Sequence, residues 1–339
     1  MINLQKTRDW FLVIVVNFMW ATQVPVIRLM GDKIGPMAIA FVPMLVSTVM
    51  FMPFLWAENK KRKTSERRTW KDLRYFIIPG LIGIFLMQYL YTVGSSLTLA
   101  SNAGIITLTI PVLVAIFASV LLKEKLNIVR IIGFVIALAG VLLTSLPDLK
   151  GASFSEGSYF KGNLIFLLAC TCAAFFNTYS KALIDKGYTE LEILVYCSII
   201  GCIACIPLLI WVEPLQVSAL IHSGNLILFG LLELSFIVYG VSMLLFFYIL
   251  KRMDVTQAIL GNYLLPFFIA LLGILLLNEN ISPAMIIGGI IIFAGTLMVT
   301  VYEKQLLYFF NRKNKEQSLA INKVQEDNTP QIKVTYEDH

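Results

Sequence analysis

Stretches of about twenty apolar residues alternate with short polar turns along most of the chain, and each can cross a bilayer core of about 30 Å as a helix. The pattern predicts about ten spans, near 10–28, 36–57, 75–97, 102–122, 127–147, 162–181, 190–212, 225–250, 256–277 and 283–302. No small-residue cleavage site follows the first span, which reads as an anchor. Residues 303–339 are polar and mixed in charge, and are expected to form a disordered cytoplasmic tail.

The pattern also repeats. Leu99–Thr144 aligns without a gap on Asp254–Val299, placing Pro111 on Pro266, Glu124 on Glu279, Gly133 on Gly288 and Gly140 on Gly295. A slightly shorter offset sets Arg28 on Lys181 and Asp32 on Asp185. Five spans per copy is an odd number, so the second copy is expected upside down relative to the first. The turns agree: Lys123-Glu124-Lys125 is basic, whereas Asn278-Glu279-Asn280 has lost both bases.

Composition excludes a soluble domain. The chain is 58% hydrophobic and 14% charged with a mean hydropathy of +0.79, against about 25% charge in soluble proteins. With the N-terminus inside, 23 of the 27 Lys and Arg lie inside, leaving Arg28, Lys33, Lys150 and Lys161 outside. Both termini are therefore expected in the cytoplasm of a cell with this protein in its inner or plasma membrane. The cluster from Lys60 to Arg74 reads as a topology signal rather than a nucleic-acid surface. All five cysteines fall inside spans, and Cys202-x-x-Cys205 lacks the loop and histidines of a metal site. Only His222 and His339 are present, so no metal, cofactor or His-dependent membrane enzyme is expected. The nucleotide-binding pattern G-x-x-x-x-G-K-[ST] is absent, which points to a gradient as the energy source.

Ten spans, two five-span copies and the pattern P-x12-E-x8-G-x6-G in each copy resemble the drug/metabolite transporter superfamily and its EamA-type carriers. The resemblance covers residues 1–302, as a first repeat at 1–148 and a second at 149–302. It implies an all-α membrane protein of two inverted five-helix repeats, working by alternating access. It also implies a central cavity lined by spans one, three, four, six, eight and nine, with spans five and ten peripheral. The cargo implied is a small molecule, an amino acid or similar metabolite moved outward. The oligomeric state is open between monomer and homodimer.

Several residues carry the chemistry. Pro111 and Pro266 lie within spans four and nine, where each removes a backbone donor and either kinks the helix for packing or exposes a carbonyl to a ligand. Glu124 and Glu279 precede spans five and ten, with Asn127 and Ser282 as helix caps, and are assigned a structural role. The four repeated glycines give a close-packing face, within the chain or between two copies. Glu233 lies about 12 Å into span eight, where a carboxylate is costly. It is the residue expected to couple protons or bind a substrate amine, with an ion pair to Arg28 or Lys161 as the structural alternative. On a regular helix Glu233 points away from the stripe of Ser235, Tyr239, Ser242 and Phe246, so only one of these faces can line a cavity.

The remaining intramembrane polar groups are Asn17, Trp20, Gln23, Gln88, Tyr91, Asn102, Asn177, Tyr179 and Asn262. They either join helices or line a cavity for a small polar or amphipathic solute. The scarcity of charge among them disfavours a nucleotide-sugar cargo. A channel or receptor-like protein is the competing class. A reporter active only in the cytoplasm checks the inversion. It should work when fused at the Lys123–Lys125 turn and be silent at Asn278–Asn280; activity at both would refute opposite orientation.

Overall fold

The computed structural model describes residues 4–31, 33–61, 68–122, 128–149, 159–214, 224–253 and 260–300, with a few isolated residues besides. Within these residues it is all helical, without a strand. Seven helices are long and apolar enough to span a membrane. They are α1 (Leu4–Gly31), α2 (Pro36–Lys61), α3 (Lys71–Leu97), α4 (Ala100–Leu121), α6 (Tyr159–Asp185), α7 (Glu190–Trp211) and α8 (Asn225–Arg252). Shorter apolar stretches lie within α5 (Ile128–Leu149), α9 (Leu260–Leu264 continued by Leu265–Leu277) and α10 (Pro283–Thr300). Met1–Thr300 is one compact unit. Glu124 with its turn, Asn127, Asp32, His222 and nearly all of the expected tail lie outside the described residues.

Local chemistry sets the helix starts. Thr189 and Glu192 form a reciprocal cap on α7, with the Thr189 N–H donating to Glu192 at 2.8 Å and the Glu192 N–H donating to the Thr189 hydroxyl at 3.3 Å. Ser282 Oγ accepts from the Met285 N–H at 3.3 Å, and Pro283 opens α10, where its missing N–H has no helical partner to lose.

Two helices leave regular α geometry at matching places. Pro79–Leu86 of α3 and Leu234–Val241 of α8 are π-helical, and they begin 155 residues apart, the offset that relates Pro111 to Pro266. Pro79 removes a donor at the start of the first segment. Gly80 and Gly83 then let it lie directly against Ile200 of α7 and Phe176 of α6. In the second segment the Ser47 hydroxyl of α2 donates to the Tyr239 carbonyl at 3.1 Å, serving an acceptor of the widened turn.

The prolines behave alike. α4 breaks at Leu108–Thr109, and Pro111 is the second residue of the segment Ile110–Leu121. α9 begins as a 3₁₀ turn, Leu260–Leu264, and Pro266 is the second residue of Leu265–Leu277. Each proline thus opens a helical segment instead of kinking the middle of one, which spares a ladder hydrogen bond.

The glycine face is used inside the chain. Gly140 of α5 lies against Ile292 and the Gly288 carbonyl of α10, and Gly295 lies against the Gly133 carbonyl, with no room for a Cβ at either position.

Charged groups collect at the two ends of the bundle. At one end Arg252 Nε donates to both oxygens of Asp9 at 3.0 and 3.1 Å, and Lys251 pairs with Glu190 at 2.7 Å. Arg68 donates to both oxygens of Glu192 at 2.7 and 2.9 Å and covers the Tyr188 ring at 4.3 Å. Burial, and the hydrogen bond it donates to Asp72 at 2.9 Å, push the Tyr188 phenol up to about 12, so it remains a donor throughout the physiological range.

At the opposite end stands Glu279, whose side chain is 4% exposed. It accepts from the Ala100 N–H at 2.7 Å, the Ser101 N–H at 2.9 Å and the Ser101 hydroxyl at 2.8 Å, with Arg28 Nε 3.6 Å away. Its position ahead of α10 suggests a cap for that helix; instead it serves the N-terminus of α4, whose unpaired donors and dipole favour an anion. Glu279→Gln keeps the shape, removes the charge and strands Arg28. It should cost about 2–3 kcal/mol of stability, seen as a lower thermal midpoint in lipid vesicles. Ser101→Ala removes one bond and should cost about 1 kcal/mol. Equal midpoints for all three proteins would contradict this account.

Candidate functional site

Midway between the charged ends, six helices enclose a cavity. α1 contributes Trp20 and Gln23; α3 contributes Met87, Gln88 and Tyr91; α4 contributes Thr107 and Ile110. From the other half come Ala173, Phe176 and Asn177 of α6, Met243 of α8, and Asn262 and Leu265 of α9. Helical spacing explains these groupings. Trp20 and Gln23 are three apart, and Ala173, Phe176 and Asn177 follow the i, i+3, i+4 rule that puts residues on one face. The breaks in α4 and α9 bring Ile110 and Leu265, the neighbours of Pro111 and Pro266, to the wall.

None of the described lining residues carries a charge. The polar surface is four carboxamides, an indole N–H, a phenol and a hydroxyl. Gln23 Nε2 donates to Gln88 Oε1 at 3.0 Å and to the Tyr239 hydroxyl at 3.4 Å, so one amide fixes the other and ties both to α8. The Thr107 hydroxyl is spent on the Gly104 carbonyl at 2.6 Å. Trp20 Nε1 and Asn262 Oδ1 are buried and have no partner among the described residues, and Asn262 is only 1% exposed. The Trp20 ring meets Phe246 edge-on at 4.9 Å, and Tyr91 packs on Phe166 at 4.6 Å. Such a wall offers flat apolar surface, neutral donors and neutral acceptors, and no ion pair. Among the described residues no group of His, Cys, Asp and Glu is arranged to hold a metal.

Of the polar residues singled out from the sequence, Trp20, Gln23, Gln88, Tyr91, Asn177 and Asn262 meet at this cavity, and Tyr239 stands one hydrogen bond behind it. Asn17 does not line it: its Nδ2 donates to the Val13 carbonyl at 2.8 Å and packs against Gly261. Asn102 is buried in the first turn of α4, and Tyr179 stacks near Phe175 at 5.6 Å. The Ser235 and Ser242 hydroxyls are turned back onto the Leu231 and Val238 carbonyls of their own helix.

Glu233 is absent from the lining residues. Its Oε1 is hydrogen-bonded to the Thr22 hydroxyl of α1, and its Oε2 is buried without a partner among the described residues. Neither expected cation reaches it, since Arg28 is on Glu279 and Lys161 is exposed. The Tyr239 face of α8 is the one turned towards the cavity. The apolar lining residues Met87, Phe176 and Leu265 are marked in the sequence only by their register with Gln88, Asn177 and Asn262, and Met243 only by its place one turn from Tyr239.

Known proteins resemble this chain over most of its length. The model of the EamA-like transporter family matches it twice, at residues 9–146 and 160–301. A protein of Archaeoglobus fulgidus named an uncharacterized transporter is 21% identical over 86% of this chain and 98% of its own length. An S-adenosylmethionine uptake transporter of Rickettsia conorii is 23% identical over 91% of this chain and 96% of its own. A solved crystal structure shares the fold with a TM-score of 0.58 at 17% identity, covering 87% of this chain and 98% of that one. With both halves matched and its helices arranged around one mid-depth cavity, the chain belongs to the EamA-like transporter family and is a multi-pass membrane transporter, not an enzyme.

Proposed function

We propose that the protein is a secondary carrier that moves a small amphipathic metabolite of amino-acid type outward across the plasma membrane by alternating access. Its ten spans form two five-helix repeats of opposite orientation, 1–148 and 149–302, with both termini in the cytoplasm. The observation that carries the carrier reading is the uncharged cavity, to which three helices of each half contribute. The shared 155-residue offset of the π segments and of the proline breaks supports the repeat. Both features suit a site at the interface of two related halves.

Cavity chemistry supports the cargo class. Aromatic faces take an apolar portion, while Asn262, Asn177 and the free end of Gln88 can bond its polar groups without a net charge. In a gradient-driven exporter the exchanged ion would be a proton.

The test compares metabolites in medium and cytosol for cells expressing wild type, Asn262→Leu, or neither, with S-adenosylmethionine included as a probe because some relatives are named for its uptake. Wild type should move one solute with saturating kinetics. The Leu variant should move it about tenfold less efficiently, the worth of one lost hydrogen bond at a buried site. Flux that rises linearly without saturation would favour a channel. An unchanged variant would remove Asn262 from the site.

A further inference from the structure

Resting on that carrier reading, we propose that Glu233 holds a proton in this conformation and donates it to Thr22, making the α1–α8 seam the proton-coupling site. The first argument is a proton count. A threonine hydroxyl has one hydrogen to give. The Thr22 hydroxyl already donates to the Met19 carbonyl at 2.7 Å, yet it is also in hydrogen-bond contact with Glu233 Oε1. A protonated carboxyl resolves the conflict: Glu233 O–H donates to Thr22 Oγ1, and Thr22 O–H donates to Met19.

The second argument is the absence of compensation. Glu233 Oε2 is buried without a partner among the described residues, which a neutral acid tolerates far better than a carboxylate does. Charges on the surrounding elements do not help. On α1, Val26 and Met30 meet α8 at Gly230, so the face of Thr22, Val26 and Met30 is the one turned to Glu233. Arg28 lies on another side of α1, against Glu279. The apolar part of α2, from Pro36 to Ala57, contains no titratable residue. On α8 itself the nearest titratable group is Tyr239, whose hydroxyl accepts from Gln23.

The seam is also mechanically connected to the cavity. Gly230 brings α8 directly against Val26 and Met30 of α1, so a change at Glu233 is transmitted to that helix. Thr22 stands between Trp20 and Gln23, both of which line the cavity. When the proton leaves Oε1 for water at either end, the Thr22 hydroxyl turns to the carboxylate and the seam opens to solvate the charge. That movement carries Trp20 and Gln23 with α1. Thr22 is accordingly a positioning residue.

Infrared difference spectra of the purified protein in lipid vesicles, in H2O and D2O across pH and without added solute, read the carboxyl proton directly. A protonated-carboxyl C=O band should be present in wild type and lost in Glu233→Gln. It should shift to higher frequency in Thr22→Val, where the acceptor is gone, and return to its place in Thr22→Ser. No band dependent on Glu233, or a band that Thr22→Val leaves unmoved, would overturn the proposal. These spectra need no cargo, so their failure leaves the carrier reading standing. Failure of every solute to move in cells would count against the carrier and not against the proton.

Discussion

The first turn of a helix presents N–H groups that no residue of that helix can satisfy, and within a bilayer there is no water to take them. In α4 these groups belong to Ala100 and Ser101, and the carboxylate that accepts from them is Glu279, brought from the turn between α9 and α10. Gly273 keeps the approach open, because a Cβ there would stand 3.1 Å from the Glu279 carboxylate. Arg28 adds its charge from α1. One side chain therefore holds the ends of α1, α4 and α9 together. Trp20, Thr107 and Leu265 sit on those same three helices and meet in the cavity.

Charge and polarity are separated by depth. Ion pairs occupy the two ends, as in Arg252 with Asp9 and Arg28 with Glu279, while the described cavity wall between them holds only neutral groups. An unpaired amide in a low-dielectric site is far cheaper than an unpaired charge. Asn262 Oδ1, without a partner among the described residues, is therefore far less costly in this wall than a fixed charge would be. The two sides of the wall differ. The Gln23, Gln88 and Tyr239 side is held by its own hydrogen bonds, whereas Trp20 Nε1 and Asn262 Oδ1 have no partner among the described residues.

Much of this was legible in the sequence because it depends on periodicity. The apolar stretches, the Pro111 and Pro266 correspondence and the glycine face all follow from spacing, and the amides that meet in the cavity were found because polar groups are rare at that depth. Two things were not legible. Glu279 serves a helix that begins 179 residues before it, a pairing that no local cap rule contains. Thr22 carries no signal of its own, since a hydroxyl in a span ordinarily bonds back to its own helix, and Thr22 does so as well.

The π segments explain the remaining difficulty. A wheel drawn at 100° per residue sets Glu233 and Tyr239 on opposed faces and asks which one is functional. Leu234–Val241 is wound differently, beginning at the residue after Glu233 and containing Tyr239, so the two side chains answer to different neighbours. Glu233 meets α1 at Thr22, and Tyr239 meets it at Gln23, one residue on. The same Gln23 reaches Gln88, which follows the other π segment by two residues. Both irregular helices thus converge on one carboxamide of α1. A change of winding in α3 or α8 would therefore act there, beside the cavity and one residue from Thr22, the partner of Glu233.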